Sequence, residues 1–406
     1  MTEPTSIKKA IVIGGSMSGL FAGLQLRRRG FEVDIYERVD SELSGRGAGT
    51  VAQPAVHRAL RDLGIGTADL GVEMTTRKIL DAEGRTVIEA RCPQTLTAWE
   101  RLYRLLRDSF SADRYHRGAG LERLEQNASS VTAHFSDGSS ANADFLIGAD
   151  GIRSTVRTQL LPDLHPFYAG YVAWRVMLPE RAIPPVIHGE LFESMTFCLP
   201  PGEQFLGYPV AGPDNDLRLG HRRYNVVWYR PAGERTELQR LLTDESGVTH
   251  AISIPPPLIR RQAIEEMHAA AERLLAPQFR AIARLMDEPV LQPIYDLETP
   301  RMAFGRIAII GDAAFVARPH VGAGVSKASD DALALAEAVA EGDVEPGLRA
   351  FEAQRLSVGR RIIERARHLG AYLQATQTAE ERAQAGRYST AQAVIEETAL
   401  VDFLDA

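Results

Sequence analysis

The ten residues Ile11–Leu20, IVIGGSMSGL, constrain this chain more than any other stretch. The apolar run Ile7 to Ile13 suits a strand buried on both faces, and it breaks at Gly14 and Gly15. From Ser18 to Arg29, Leu20, Phe21, Leu24 and Leu26 form one apolar side of a helix. Arg27, Arg28 and Arg29 place cations where the helix dipole ends negative, and Gly30 provides the stop. Phe31 to Tyr36 reads as a second strand, and Glu37 follows it, 23 positions after Gly14. Strand, glycine turn, helix, strand and acid within about thirty residues form the unit that seats a dinucleotide. Its pyrophosphate rests on the helix N-terminus and its ribose hydroxyls on the acid. The middle glycine of G-x-G-x-x-G is here Ser16, between Gly14 and Gly19, so segments further along must decide.

Two of them do. Asp144 to Arg157, DFLIGADGIRSTVR, is a strand that delivers Asp150 at its carboxyl end and then opens a helix. Gly305 to Val339 is a strand ending in Gly311-Asp312, a loop with Gly322 and Gly324, and a long helix. An open α/β sheet binds its ligand outside the carboxyl ends of its strands, so three such edges imply one extended ligand.

Composition removes other classes. A chain of 406 residues is too long for one typical core, and a net charge of −7 argues against a nucleic-acid partner, which needs a basic face. Cys92 and Cys198 lie far apart and the ten histidines are scattered, so no metal site is expected. The apolar start is interrupted by Gly14, Gly15, Ser16 and Ser18, and no later window carries the roughly 18 apolar residues of a membrane span. No membrane partner and a cytoplasmic location are expected.

The three segments together resemble the class A flavoprotein aromatic monooxygenases, the group typified by para-hydroxybenzoate hydroxylase, from about Ile7 to about Arg355. The resemblance implies an α/β fold: a Rossmann-like FAD-binding domain (1–73, 98–178 and 290–345), an inserted, largely antiparallel β-sheet substrate domain (74–97 and 179–289) and a C-terminal helical region (346–406). It implies FAD held by Gly14, Ser16, Met17, Ser18, Gly19, Glu37, Arg38, Arg46, Asp150, Asp312, Gly322, Ala323, Gly324 and Val325. It also implies NADH or NADPH as a transient electron donor and dioxygen activated at the flavin C4a position. Within the family, the serine at position 16, YAGYVAWR (Tyr168 to Arg175) and RPH (Arg318 to His320) are similar to members that hydroxylate hydroxypyridines. The expected reaction is therefore hydroxylation of a hydroxylated pyridine or related N-heterocycle. The alternatives are hydroxylation of another phenolic or aromatic ring, and a noncatalytic binding protein on the same fold. Phe315, Arg318, Ser326 and Trp99 stand where the wider family carries other residues.

Met74 to Ala90 reads as a hairpin turning at Ala82 to Gly84, and Tyr171–Leu178, Glu190–Leu199, Phe205–Val210 and Leu217–Trp228 as further strands. Residues 258–285 and 346–382 read as helices whose charges lie on solvated faces, with homodimer contacts as the alternative. Ring hydroxylation needs the substrate hydroxyl ionised, by a base or by a directing hydrogen bond. His320 is the first catalytic candidate because it titrates near neutrality, and Tyr208 is the second. Gln53, Pro319, His320 and Tyr208 are expected against the substrate. No arginine is identified for a substrate carboxylate.

Overall fold

The computed structural model describes residues 7–43 and 48–404. Arg46, expected to touch the cofactor, lies outside the described residues.

The first unit forms as its pattern requires. The strand Lys9–Ile13 pairs in parallel with Glu32–Glu37 on one side and Phe145–Gly148 on the other, and Ile307–Ile309 pairs in parallel with the latter. Tyr115–Arg117 and the antiparallel Ala303–Phe304 close the two edges of this six-stranded sheet. Between the first two strands runs the helix Met17–Arg28, with Arg27 and Arg28 in its last turn and Gly30 at a φ of +85° beyond it. This helix packs on Gly324–Ala340, which in turn packs on the 27-residue helix Val344–Gly370. The strand ends carrying Gly14, Asp150 and Gly311 thus emerge side by side, because parallel neighbours point their carboxyl ends one way.

The second layer is a nine-stranded sheet in which Val72–Leu80 and Met195–Cys198 pair in parallel while the other pairs are antiparallel. The hairpin turns at Asp81–Arg85, where the Asp81 carboxylate accepts from the amides of Glu83 and Arg85. Two expected strands are shorter. Pro185 starts a helix through Leu191, so that strand begins only at Met195. Asp214 and Asn215 at positive φ and the Asp216 side chain on the Arg218 amide make a turn, so the other begins at Arg223.

The nine-stranded sheet also takes Gly49–Ala52, Phe167–Pro179, Val290–Glu298 and Phe315–Val316. Apart from Pro179, these strands fall inside the segments 1–73, 98–178 and 290–345 expected in the FAD-binding unit. The physical reason is that a strand buried on both faces reads alike in either sheet, and only its pairing partner assigns it. No helix among the described residues is long and apolar enough to cross a membrane.

Candidate functional site

Two adjoining cavities lie where the sheets meet. One, of about 350 Å³, is lined by Gly14, Glu37, Arg38, Ala119 and Asp150; the other, of about 390 Å³, by Met17, Ser18, Tyr208, His320 and Gly322 to Val325. Ser16, Trp99, Ala149, Gly151 and Asp312 line both, so the two form one bent channel.

Its narrow turn is built by glycine. Gly14 holds a φ of +104°, and a Cβ there would lie 2.4 Å from the Ala149 carbonyl oxygen of the neighbouring strand end. At Gly19 a Cβ would lie 1.8 Å from the Gly14 oxygen. Ser16, by contrast, has an ordinary φ of −92° as the residue preceding the helix, and its side chain makes no capping bond. Serine is therefore tolerated at the middle position, and its hydroxyl is left for a ligand. Ser16→Gly should accordingly retain the parent's FAD content, read from the absorbance of FAD released on heating.

The remaining polar groups are set around this turn. Glu37 accepts from the amides of Gly15 (2.8 Å) and Val39 (2.9 Å), which fixes a carboxylate with free lone pairs at the first cavity. Asp150 is turned the other way: its oxygens take the Ser154 hydroxyl at 2.6 Å and the Thr155 and Val156 amides at 2.7 and 3.2 Å. It anchors the start of the helix Thr155–Leu160, and burial raises its pKa. Asp312 is exposed to the channel, and the protein packed around it, partly offset by Lys327, raises its pKa as well. At Gly324 a Cβ would meet no protein atom within 4 Å. Packing does not demand glycine there, and the bare backbone leaves the helix N-terminus open for a ligand to approach closely. A free serine hydroxyl, a carboxylate held for hydroxyls, a second carboxylate exposed to the channel and an open helix N-terminus in one channel fit an extended dinucleotide.

One face of the nine-stranded sheet makes the opposite wall. Arg175 pairs with Val227, and Gln204 with Tyr229, across three adjacent strands. Alternation brings Arg175, Gln204, Leu206, Tyr208, Val227, Tyr229 and Gln292 to the cavity. Tyr208 is buried there, its hydroxyl pKa pushed up by burial. Pro319 and His320 face this wall.

His320 departs from its expected chemistry. It is 3 % exposed, its Nε2 lies 2.9 Å from the Tyr171 hydroxyl, and its ring packs 4.4 Å from that of Tyr229. Burial first, and the Arg318 guanidinium second, depress its pKa to about 3. The expectation of titration near neutrality is corrected: the imidazole is neutral, because charging it would bury a second cation beside Arg318.

Gln53 does not reach the cavity wall. Its amide donates to the carbonyls of Ala399 (3.0 Å) and Gly322 (3.4 Å), bracing the wall from behind. The C-terminal region 346–406, expected as helical and with no part in the site, contributes Thr398 and Ala399 to the cavity. Buried Arg77 holds it through the carbonyls of Ile395 and Thr398, and the Ala399 amide donates to the His320 carbonyl at 2.7 Å. Charge periodicity could not show this, since the tethers come from distant strands. Arg175 overturns the expectation of no arginine in the pocket. The signal was present in YAGYVAWR, where Tyr171, Ala173 and Arg175 alternate onto one face.

Comparison with known proteins agrees with this geometry. Residues 12–61 match a family model described as an NAD(P)-binding Rossmann-like domain, and residues 168–296 one described as FAD binding domain-like. The chain is 34 % identical over 374 residues to 2,6-dihydroxypyridine 3-monooxygenase of Paenarthrobacter nicotinovorans, covering 92 % of this chain and 93 % of that one. It is 28 % identical to an FAD-dependent urate hydroxylase of Klebsiella pneumoniae, covering 88 % of each. Among solved structures, 2,6-dihydroxypyridine-3-hydroxylase from Arthrobacter nicotinovorans superposes with a TM-score of 0.86 at 33 % identity, over 93 % of this chain and 95 % of that one. Klebsiella pneumoniae HpxO complexed with FAD and uric acid shares the fold, with a TM-score of 0.75 at 24 % identity over 94 % and 92 %.

Proposed function

The chain belongs to the class A flavoprotein aromatic monooxygenases, and from that premise we propose that its substrate is a hydroxylated pyridine or a related N-heterocycle. It is an FAD-dependent enzyme that uses NAD(P)H and dioxygen, placing one oxygen atom on an aromatic ring and releasing the other as water. The noncatalytic alternative falls with that membership. The reading includes a cytoplasmic location, where the nicotinamide donor is available.

The observation that carries the substrate class is the 34 % identity over nearly the whole chain, joined to a cavity continuous with the dinucleotide channel and lined by Arg175, Gln204 and Tyr208. FAD supplies the redox and oxygen chemistry when bound. On this reading the amides around Ser16 to Gly19 take its pyrophosphate, with Gly14 opening the turn, and Glu37, with Arg38 beside it, takes the ribose. Asp312 takes the ribityl chain, and the helix N-terminus at Gly322 to Val325 takes the pyrimidine edge, where negative charge develops. Asp150 acts indirectly, by fixing the strand end against which Gly14 packs.

His320 and Tyr208 serve the substrate as neutral hydrogen-bonding groups. With Nε2 engaged by Tyr171, His320 has Nδ1 left for the ring hydroxyl. His320→Gln should therefore slow hydroxylation by about 10–100-fold, the worth of one hydrogen bond to a charged oxygen, without a pH-dependent recovery. A deficit near 10³ that vanishes above the substrate's hydroxyl pKa would instead make His320 a base. The same depressed pKa has a stability consequence. The unfolded chain binds a proton below about pH 6.5 and the folded chain only near 3, so stability declines as pH falls through that window. Urea midpoints at pH 7 and pH 5 should diverge less in His320→Gln than in the parent.

The substrate class is tested by a panel of 2,6-dihydroxypyridine, other hydroxypyridines, urate and para-hydroxybenzoate, scored for accelerated flavin reduction and hydroxylated product. Hydroxypyridines should lead in both. With Arg175 in the cavity, rejection of para-hydroxybenzoate rests on the relatives and not on a missing cation. Productive turnover of para-hydroxybenzoate alone would overturn the assignment.

A further inference from the structure

The most unusual group in the cavity is a cation without a counter-charge. Among the described residues no carboxylate lies within 4 Å of the Arg175 guanidinium; its one hydrogen bond runs from NH1 to the Gln292 amide oxygen at 2.6 Å. Its Nε is buried and has no partner. Two strands away across the sheet and two residues further along, Gln204 is 1 % exposed; its Oε1 accepts from the Tyr372 hydroxyl at 3.2 Å and its Nε2 is buried without a partner. The Cα atoms of Arg175 and Gln204 are about 12 Å apart by strand spacing and rise, a separation their long side chains close over one small ring.

The other titratable groups around the cavity do not neutralise Arg175. Tyr208 and Tyr229 are held as neutral phenols by burial, against the pull of Arg175, with Tyr229 at about 12. His320 is neutral, and Arg318 is already paired with Asp296 at 3.0 Å. Asp312 lies at the junction of the two cavities, toward the dinucleotide. Arg175 is partly buried and lines the cavity with its Nε unpartnered, so a negative charge on the ligand is the counter-charge this wall is built to meet.

We infer that Arg175, with Gln204 beside it, binds the substrate's ring oxygen as an oxyanion, the hydroxyl proton passing to solvent on binding and not to a base in the protein. The inference rests on the hydroxypyridine reading and adds to it the ionic form taken and the residue that selects it. It also explains how a ring can be activated in a cavity whose histidine does not take up protons. The ionised oxygen pushes charge into the ring carbon to be oxygenated, and Arg175 holds that oxygen without accepting its proton.

Calorimetric titration of the oxidised, FAD-loaded protein with 2,6-dihydroxypyridine, in buffers of differing ionisation enthalpy, counts protons exchanged on binding. Below the free ligand's hydroxyl pKa the parent should release about one proton per ligand bound, and above it none. Arg175→Gln should reduce the release to near zero and weaken binding of the ionised ligand by about 10–100-fold. Arg175→Lys should restore the proton release, because it restores the charge. Retained FAD in each variant shows that the fold is intact. A parent that binds the ligand and releases no proton below that pKa overturns the inference by itself, whatever the variants do, as does parent-like release in Arg175→Gln. If no hydroxypyridine binds the parent, the substrate reading fails, and this inference with it.

Discussion

Gly14→Val is expected to abolish FAD binding. Two costs add at that position. The backbone stands at a φ of +104°, which a β-branched residue reaches only with strain of about 1–3 kcal/mol. The new side chain would also meet the Ala149 carbonyl oxygen at 2.4 Å and the Asp150 Cα at 2.8 Å, backbone atoms just past the end of a central strand, where the Ala149 amide is tied to the Ile13 carbonyl. Overpacking of that kind adds about 1–3 kcal/mol. Relief requires the strand ends Ile13 and Gly148 to part, and the pyrophosphate turn lies between them. Released flavin per mole of protein should fall close to zero in Gly14→Val while Ser16→Gly stays at the parent level. Parent-like flavin in both would show that the pyrophosphate does not sit at this turn.

The contrast between those positions shows how much of the site the sequence carried. The strand, turn and helix around Gly14 are local, their signals lie within one thirty-residue window, and the fold keeps each of them in place. The tolerance of serine at position 16 was not readable, because it depends on the ordinary backbone φ of −92° that the turn imposes there. Asp150 was readable as a strand-end acid, but its orientation was not. Three hydrogen bonds turn it onto its own helix, and a sequence does not say which way a carboxylate faces.

The substrate wall was harder to read, for a topological reason. Its strands at Phe167–Pro179, Gln204–Val210, Arg223–Pro231 and Val290–Glu298 come from four separate stretches, and which side chains face one cavity depends on register. Arg175 could have been assigned from alternation within its own strand, since Tyr171 and Arg175 share a face. Gln204 could not, because only pairing with Tyr229 sets its phase. Thr398 and Ala399 are more remote still: buried Arg77, on a hairpin more than 300 residues earlier, carries them to the cavity. Arg318 was noticed as a departure from the wider family, yet its importance lies in a partner that the sequence does not point to.

That partner gives the largest expected loss of stability. Asp296 is 0 % exposed on the strand Val290–Glu298 and accepts from Arg318 Nε at 3.0 Å and Arg367 NH2 at 2.9 Å. Arg318 is 2 % exposed and has one other partner, the Gln374 amide oxygen at 2.8 Å. Asp296→Asn keeps the shape but removes the charge, leaving a buried guanidinium uncompensated, and breaking a buried pair in this way costs about 3–5 kcal/mol. Arg367→Ala is the control. Its side chain is 43 % exposed, so solvent screens its share of the network, and its removal should cost about 1 kcal/mol or less. Urea unfolding of the FAD-loaded variants, followed by far-UV circular dichroism, separates the two. The consequence reaches the active site, because Arg318 begins the turn Pro319–Val321 and stands beside Tyr171, which holds His320. With Asp296 gone, an uncompensated cation next to that pair should loosen the His320 wall, so product yield per NAD(P)H should fall further in Asp296→Asn than in Arg367→Ala. Equal, small losses of stability in the two variants would mean that Arg318 is held by Gln374 and packing, and that the carboxylate is dispensable to the wall.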